Sequence, residues 1–378
     1  MAMNQLIEGL LRKGHSVKVL VVDSVKYHVN PDEIPTQYRQ QTNIEFVRLN
    51  LRIKLLPALW NWLLGRSYHV QRFISTAFRN KLIELLKHGQ FDIVEMETLF
   101  MTPYVEVIRK HSRAKIVLRA HNIEHLIWER MHRQEKNILK KAYLAYLHKS
   151  LKNYEIKALD QFDGILPISE KDAAFFRANT SVSVQCIPFG IDLHKAKSNA
   201  TFPEKYDLVH IGAMNWLPNQ EGIEWFIKEV WPRLQQKIPN IKLALAGREM
   251  PDKLLHLNIK NVTVLGEVSE AQAFINTGKI SIAPLLSGSG IRIKILESMS
   301  LAKPVVATPV GAEGIDYQAG KNILIADTPE DFARAIQFLT EHPDEAIRIG
   351  KNARELIAEK YNHTEIIKQL CVFYQKIL

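Results

Sequence analysis

Between residues 287 and 300 the chain reads SGSGIRIKILESMS. The side chains fall in an order that suits anion chemistry: Gly288 and Gly290, then the cations Arg292 and Lys294, then the carboxylate Glu297. Helix starts ordinarily attract acids, because the unpaired backbone N–H groups there carry partial positive charge. Cations gathered at such a start make sense when a bound anion, not a side chain, complements the dipole. Glycines let backbone approach a phosphate closely, and the N–H groups of a helix start point at it. Arg292 and Lys294 would add charge-assisted contacts to a diphosphate. Glu297, about one and a half turns past Arg292, is placed to accept hydrogen bonds from ribose hydroxyls. The plainer alternative is a pair of solvated cations on a surface helix.

A second constellation is HNIEH, residues 121–125. Its spacing fits the H-x-x-E-H zinc pattern. That chemistry needs both histidines on one helix face and a third protein ligand. His121 instead follows the apolar run KIVLRA directly, so the pair straddles a strand–loop boundary. A histidine capping a strand end is the structural alternative. The sequence shows no Ser-His-Asp order, no GxSxG elbow and no phosphate loop. Cys186 and Cys371 stand apart without CxxC spacing, which points to a reducing compartment and no structural zinc.

These residues need elements to hold them. Short apolar runs at 16–22, 44–49, 91–97, 114–120, 164–169 and 182–188 read as strands, with helix-period stretches between several of them. After a polar segment over 195–206 the pattern restarts at 207–212, 241–247, 261–266, 279–285, 303–308 and 322–327. Continuous apolar strands alternating with helices imply parallel sheets covered on both faces. The chain therefore reads as two α/β halves joined near residue 200. Glycines 288 and 290 then follow the strand KISIAPL, at the carboxyl edge where open α/β sheets bind ligands. Pro343 suits the first turn of a late helix, and HTEIIKQLCVFYQKIL reads as another.

The front is unusual. Residues 1–13 read as an amphipathic helix closed by Gly14, whereas a doubly wound domain usually opens with a strand and a glycine loop before that helix. The expectation is an N-terminal sheet lacking its first strand beside VKVLVV.

Composition is that of an ordinary soluble globular protein: 378 residues, 46% hydrophobic and 24% charged. That length suggests two domains at roughly 100–200 residues each. The net charge of +10 calls for anionic company. The bases are spread along the chain and no nucleic-acid motif is visible, so no nucleic-acid partner is expected. No signal peptide is read at the N-terminus. LLPALWNWLLG, from Leu55, falls short of the ~20 residues that cross a bilayer. It reads either as a buried amphipathic helix or as a segment lying on a membrane surface.

The run GSGIRIKILESMSLAKPVVATPVGAEGI (288–315) resembles the donor-site signature of GT-B glycosyltransferases, specifically the retaining family 4 or group 1 type. VLRAHNIEHLIWERM, ILPISEKDAAFF, CIPFGID, HIGAMNWLPNQEGIEWF and VTVLGEVSEAQAFI resemble further blocks of that family, in its order, so the likeness covers nearly the whole chain. It implies two Rossmann-like domains, 1–196 and 197–361, facing across a cleft, with a helix of about 362–378 returning to the first. Glu297 matches the second glutamate of the family's paired motif, expected on the donor ribose. The first falls at Ser289, so its part passes to the backbone of Gly288, Ser289, Gly290 and Ile291. Gly212 matches the glycine after the first donor-domain strand, with Asn215 in the same loop. The cations that usually follow fall near Ala213 and Gln220 and are missing, which leaves Arg292 and Lys294 as substitutes. Glu267 and Val268 match the loop that reads the base. His121 matches the histidine that contacts the donor sugar and phosphate, and Asn122 and Glu124 share its loop on the acceptor side.

The resemblance implies transfer of a hexose from a nucleotide-diphosphate sugar to a hydroxyl of a glycan or lipid-linked acceptor. It implies no metal and no cofactor, and no DVD-like carboxylate pair is present. His121, Arg292 and Lys294 are the expected catalytic groups. The basic charge and the apolar segment near Trp60 and Trp62 suggest an acceptor on a lipid carrier. The setting expected is therefore cytoplasmic, at the inner face of a bacterial membrane, in surface polysaccharide assembly. A sugar-nucleotide epimerase of the same fold and a non-catalytic sugar-nucleotide binding protein stay open as alternatives.

Overall fold

The computed structural model describes all residues except 1, 25–29, 53–66, 195, 197–203 and 289. The apolar segment from Leu55 lies outside the described residues, as does Ser289. The chain divides into two compact units, Met1–Pro188 with Ile367–Leu378, and Phe189–Ile366. The division falls ahead of the polar segment 195–206 and again inside the last helix, His363–Ile377.

Each of the twelve apolar runs carries a strand, all paired in parallel. In the first unit these are β1 (Leu20–Ser24), β2 (Glu45–Leu49), β3 (Ile93–Met96), β4 (Lys115–Ala120), β5 (Gly164–Pro167) and β6 (Ser183–Val184). The described strands form two sheets, β1–β2 and β3–β4–β5–β6. The first run was placed too early. Pairing starts at Leu20 opposite Glu45, while Lys18 donates from outside the strand to the Glu45 carboxylate. VSVQCIP is strand only at Ser183 and Val184, although the N–H groups of Gln185 and Ile187 still donate to the Ile165 and Pro167 carbonyls of β5.

The second unit holds β7 (Tyr206–Ile211), β8 (Leu243–Ala246), β9 (Val262–Gly266), β10 (Gly278–Ala283), β11 (Val305–Ala307) and β12 (Leu324–Ile325) in one sheet, order β12-β11-β10-β7-β8-β9. Both faces are covered, so β8 (LALA) has every residue buried. One face packs Phe226, Trp231 and Phe332 from helices into a single apolar core. The order runs outward in both directions from the β7–β10 pair. That pair is the topological switch point, where the loops leaving the strand ends part to opposite faces and open a crevice.

Candidate functional site

The two loops that leave this switch point, with the helices they lead into, carry most of the residues singled out by sequence. After β7 come Gly212, Ala213, Met214, Asn215 and Trp216, leading into the helix Leu217–Trp225. After β10 comes 284–292, leading into the helix Ile293–Ser300. Close backbone packing brings the strand ends together. A Cβ on Gly247, at the end of β8, would lie 1.8 Å from the Gly212 carbonyl oxygen.

Arg292 is the residue just ahead of the helix, with extended backbone and no side-chain cap. Its guanidinium is buried, donates back to the Gly290 carbonyl, and lies 5.0 Å from the centre of the Trp216 ring. The alternative of a solvated surface cation therefore fails for Arg292. Gly288 lies under the same ring: its φ is +103°, and a Cβ there would sit 2.7 Å from Trp216 Cζ2. Gly290 also has positive φ, at 84°. Ile291 is buried and anchors the loop. Ser287 Oγ donates to Glu221 on the opposite helix at 2.8 Å.

Lys294 turns inward. Its Nζ lies 2.8 Å from Asn219 Oδ1 and 3.5 Å from His210 Nε2. Burial, then the neighbouring Arg292 charge, pushes its pKa down to about 7. His210, on β7, is fully enclosed and is held well below its ordinary pKa by that burial and by Lys294, against a bond from its Nδ1 to the Ile282 carbonyl. Among the described residues no carboxylate forms an ion pair with Lys294. An ammonium so placed lacks charge compensation, which a diphosphate would supply. Glu297, one turn along, has its pKa raised by burial.

His210, Asn219 and Trp216 were missed or only glimpsed in the sequence. His210 opens the family-like block HIGAMNWLPNQEGIEWF but sits in an apolar strand, and the resemblance assigned it no role. Asn219 lies in LPNQEG, where its amide bonds both Lys294 and the Ala213 carbonyl. Gln220 donates to the Met214 carbonyl. The amides of Asn219 and Gln220 thus knit the β7 loop where cations are absent. Asn215 is exposed and bonds Glu249 at 2.7 Å. Glu267 and Val268 leave β9, on the far side of β8 from β7, with Glu267 exposed and Val268 packed against the small apolar cluster that includes Val209, Ala246 and Phe274.

In the first unit, His121 and Glu97 each stand one residue past the ends of the adjacent strands β4 and β3, with Nε2 and Oε2 2.7 Å apart. His125 pairs with a different carboxylate, its Nδ1 lying 2.6 Å from Glu155 Oε2. The two histidines of HNIEH are therefore committed to separate partners, and only His125 is helical. Among the described residues no cluster of three or more His, Cys, Asp or Glu could hold a metal. Glu155 also accepts the backbone N–H groups of Glu124 and His125, so its buried carboxylate caps the helix Glu124–Gln134 in trans. Glu124 is pushed up to about 8 by burial and by Glu155. Asn122 lies half-buried in the same loop.

Residues 2–195 match the family model described as Glycosyltransferase Family 4, and residues 205–342 match that of Glycosyl transferases group 1. The chain belongs to glycosyltransferase family 4. A Klebsiella pneumoniae relative, described as an uncharacterized 44.6 kDa protein in cps region, is 24% identical over 96% of this chain and 92% of its own length. An uncharacterized glycosyltransferase of Methanocaldococcus jannaschii is 25% identical over 64% of this chain and 61% of its own. Among solved structures, sucrose-phosphate synthase from Thermosynechococcus elongatus superposes with TM-score 0.70 at 18% identity, covering 99% of this chain and 92% of that one. Anabaena HepE, solved with UDP and glucose, gives 0.66 at 13% identity over 98% and 95%. This family 4 chain thus has the GT-B glycosyltransferase fold, and its switch-point loops occupy the ligand-binding edge of a doubly wound sheet.

Proposed function

We propose that this family 4 chain transfers a hexose, with retention, from a nucleotide-diphosphate sugar to a hydroxyl of a glycan or lipid-linked acceptor. The observation that carries the reading is the inward-facing pair Arg292 and Lys294 at the β7–β10 switch point, with Glu297 one turn behind. Gly288, Gly290 and Ile291 bring backbone to the phosphates, and Glu297 receives the ribose. Gly212 and Asn215 border the same crevice, and Glu267 and Val268 take the base. As the glycosidic bond breaks, negative charge builds on the departing diphosphate. Two preplaced cations stabilise it in the role a metal ion fills elsewhere, which makes the reaction metal-independent in this reading. The family resemblance assigns His121 to the transferred sugar and Asn122 and Glu124 to the acceptor side.

The nucleotide is supported by the Anabaena neighbour solved with UDP. A role in surface polysaccharide synthesis is supported by the Klebsiella relative of the cps region. The chain would then work at the inner face of the cytoplasmic membrane; among the described residues no helix is long and apolar enough to cross one. The test is incubation with radiolabelled UDP-, GDP- and ADP-hexoses and a lipid-linked glycan extract. Label appearing in the glycan, lost in the Arg292→Ala/Lys294→Ala variant, supports the assignment. Label confined to a rearranged nucleotide sugar would replace it with epimerisation.

A further inference from the structure

Helices Glu124–Gln134 and Ile138–Leu159 form an antiparallel hairpin. Contacts between them run from Glu124 with Glu155, through His125 with His148, to His132 with Lys141 near the turn. Leu144, Leu147 and Leu151 face inward. At the tip the pattern inverts. Ile138 and Leu139 are 82% and 84% exposed, the two most exposed large apolar side chains among the described residues. Tyr143, one turn beyond Leu139, and Met131, on the facing helix, are exposed as well.

Cations surround this tip. From Glu129 to Lys141 there are five bases (Arg130, Arg133, Lys136, Lys140, Lys141) against two acids, Glu129, which pairs with Arg133, and Glu135. Glu135 is turned into the hairpin turn: its Oε1 accepts the N–H groups of Lys136 and Asn137, and Oε2 pairs with Lys140. Lys136 and Lys141 stand exposed beside the bare apolar pair.

We infer that this hairpin tip is a docking surface for an anionic lipid bilayer. Charge complementarity selects the occupant. Apolar side chains on a convex tip, ringed by lysines, suit insertion into the headgroup–acyl boundary, with the cations held among the phosphates. Lysine stems lie along apolar surface while their ammonium groups stay in the wet layer. A protein groove is the poorer fit, since lysine is depleted at protein interfaces and a stable one needs a far larger apolar area. The inference deepens the proposed membrane-side acceptor and rests on that reading only for its biological purpose.

The test is co-sedimentation of the full chain with vesicles of phosphatidylcholine containing 30% phosphatidylglycerol (by design, about one anionic lipid in three), and with pure phosphatidylcholine, at 0.1 M and roughly 0.5 M salt. The expected result is binding to the anionic vesicles that weakens at high salt. Ile138→Ser/Leu139→Ser and, separately, Lys136→Glu/Lys141→Glu should each weaken that binding at least about tenfold. Both variants alter exposed positions, so circular dichroism and melting should be unchanged. Equal partition of wild type and both variants, or equal binding to both lipids, would overturn the inference. So would a fall from dimer to monomer in the Ile138→Ser/Leu139→Ser variant, which would make the tip a contact between copies. Nucleotide binding, measured without vesicles, reports separately on the transfer reading.

Discussion

Lys294 Nζ lies 2.8 Å from Asn219 Oδ1 and 3.5 Å from His210 Nε2, so a neutral amide and a buried imidazole hold the ammonium in place of a carboxylate. Its pKa in the fold is about 7, against 10.5 ordinarily, first because of burial and then because of Arg292. The unfolded chain therefore binds more protons between about pH 7 and pH 10.5. The destabilisation from burying this charge is complete below pH 7 and fades as pH rises through that window. Lys294→Met should raise the melting temperature at pH 6 and raise it less at pH 9. An equal effect at both pH values would place the ammonium in solvent.

Glu297→Gln should weaken nucleoside diphosphate binding while leaving pyrophosphate binding nearly unchanged, because a carboxylate accepting ribose hydroxyls has no part in holding phosphates. The expected loss is about 1.5–3 kcal/mol, the scale of hydrogen bonds to a charged group. Calorimetry with both ligands decides it, and equal losses would assign Glu297 an electrostatic or packing role.

Gly288→Ala combines two penalties. The backbone φ of +103° disfavours any side chain, and the new methyl meets Trp216 Cζ2 at 2.7 Å. The loop must shift or Trp216 must leave Arg292. Donor affinity should fall at least about tenfold, or 1.4 kcal/mol, with a small change in melting temperature. Retained affinity would remove this loop from the site.

Glu155 accepts two backbone N–H groups at the start of the helix Glu124–Gln134 and bonds the His125 ring. Glu155→Gln removes the charge from the dipole and leaves a buried donor poorly satisfied. The expected destabilisation is about 1.5–3 kcal/mol in denaturant unfolding; a change under about 0.5 kcal/mol, the range of ordinary surface substitutions, would contradict the capping role.

The fold was legible because parallel strands buried on both faces leave continuous apolar runs, and all twelve were readable. Strand ends were not, because they are set by pairing: Leu20 starts β1 only because Glu45 lies opposite it. In the site, glycines and cations at a helix start were visible as local pattern. His210 and Asn219 were invisible because their importance comes from distance in sequence. They meet Lys294 across 84 and 75 residues, through strand order that no local window contains. The pairing of His121 with Glu97 likewise needed the β3–β4 neighbour relation.

The most direct measurement is a calorimetric titration of the intact protein with UDP, GDP and ADP, beside the Arg292→Ala/Lys294→Ala variant. One nucleoside diphosphate should bind the wild type, and the variant should bind it about ten- to hundredfold more weakly, as expected for loss of about 1.5–3 kcal/mol. Failure of all three to bind the wild type, or identical affinity in the variant, would contradict a diphosphate site at the β7–β10 switch point.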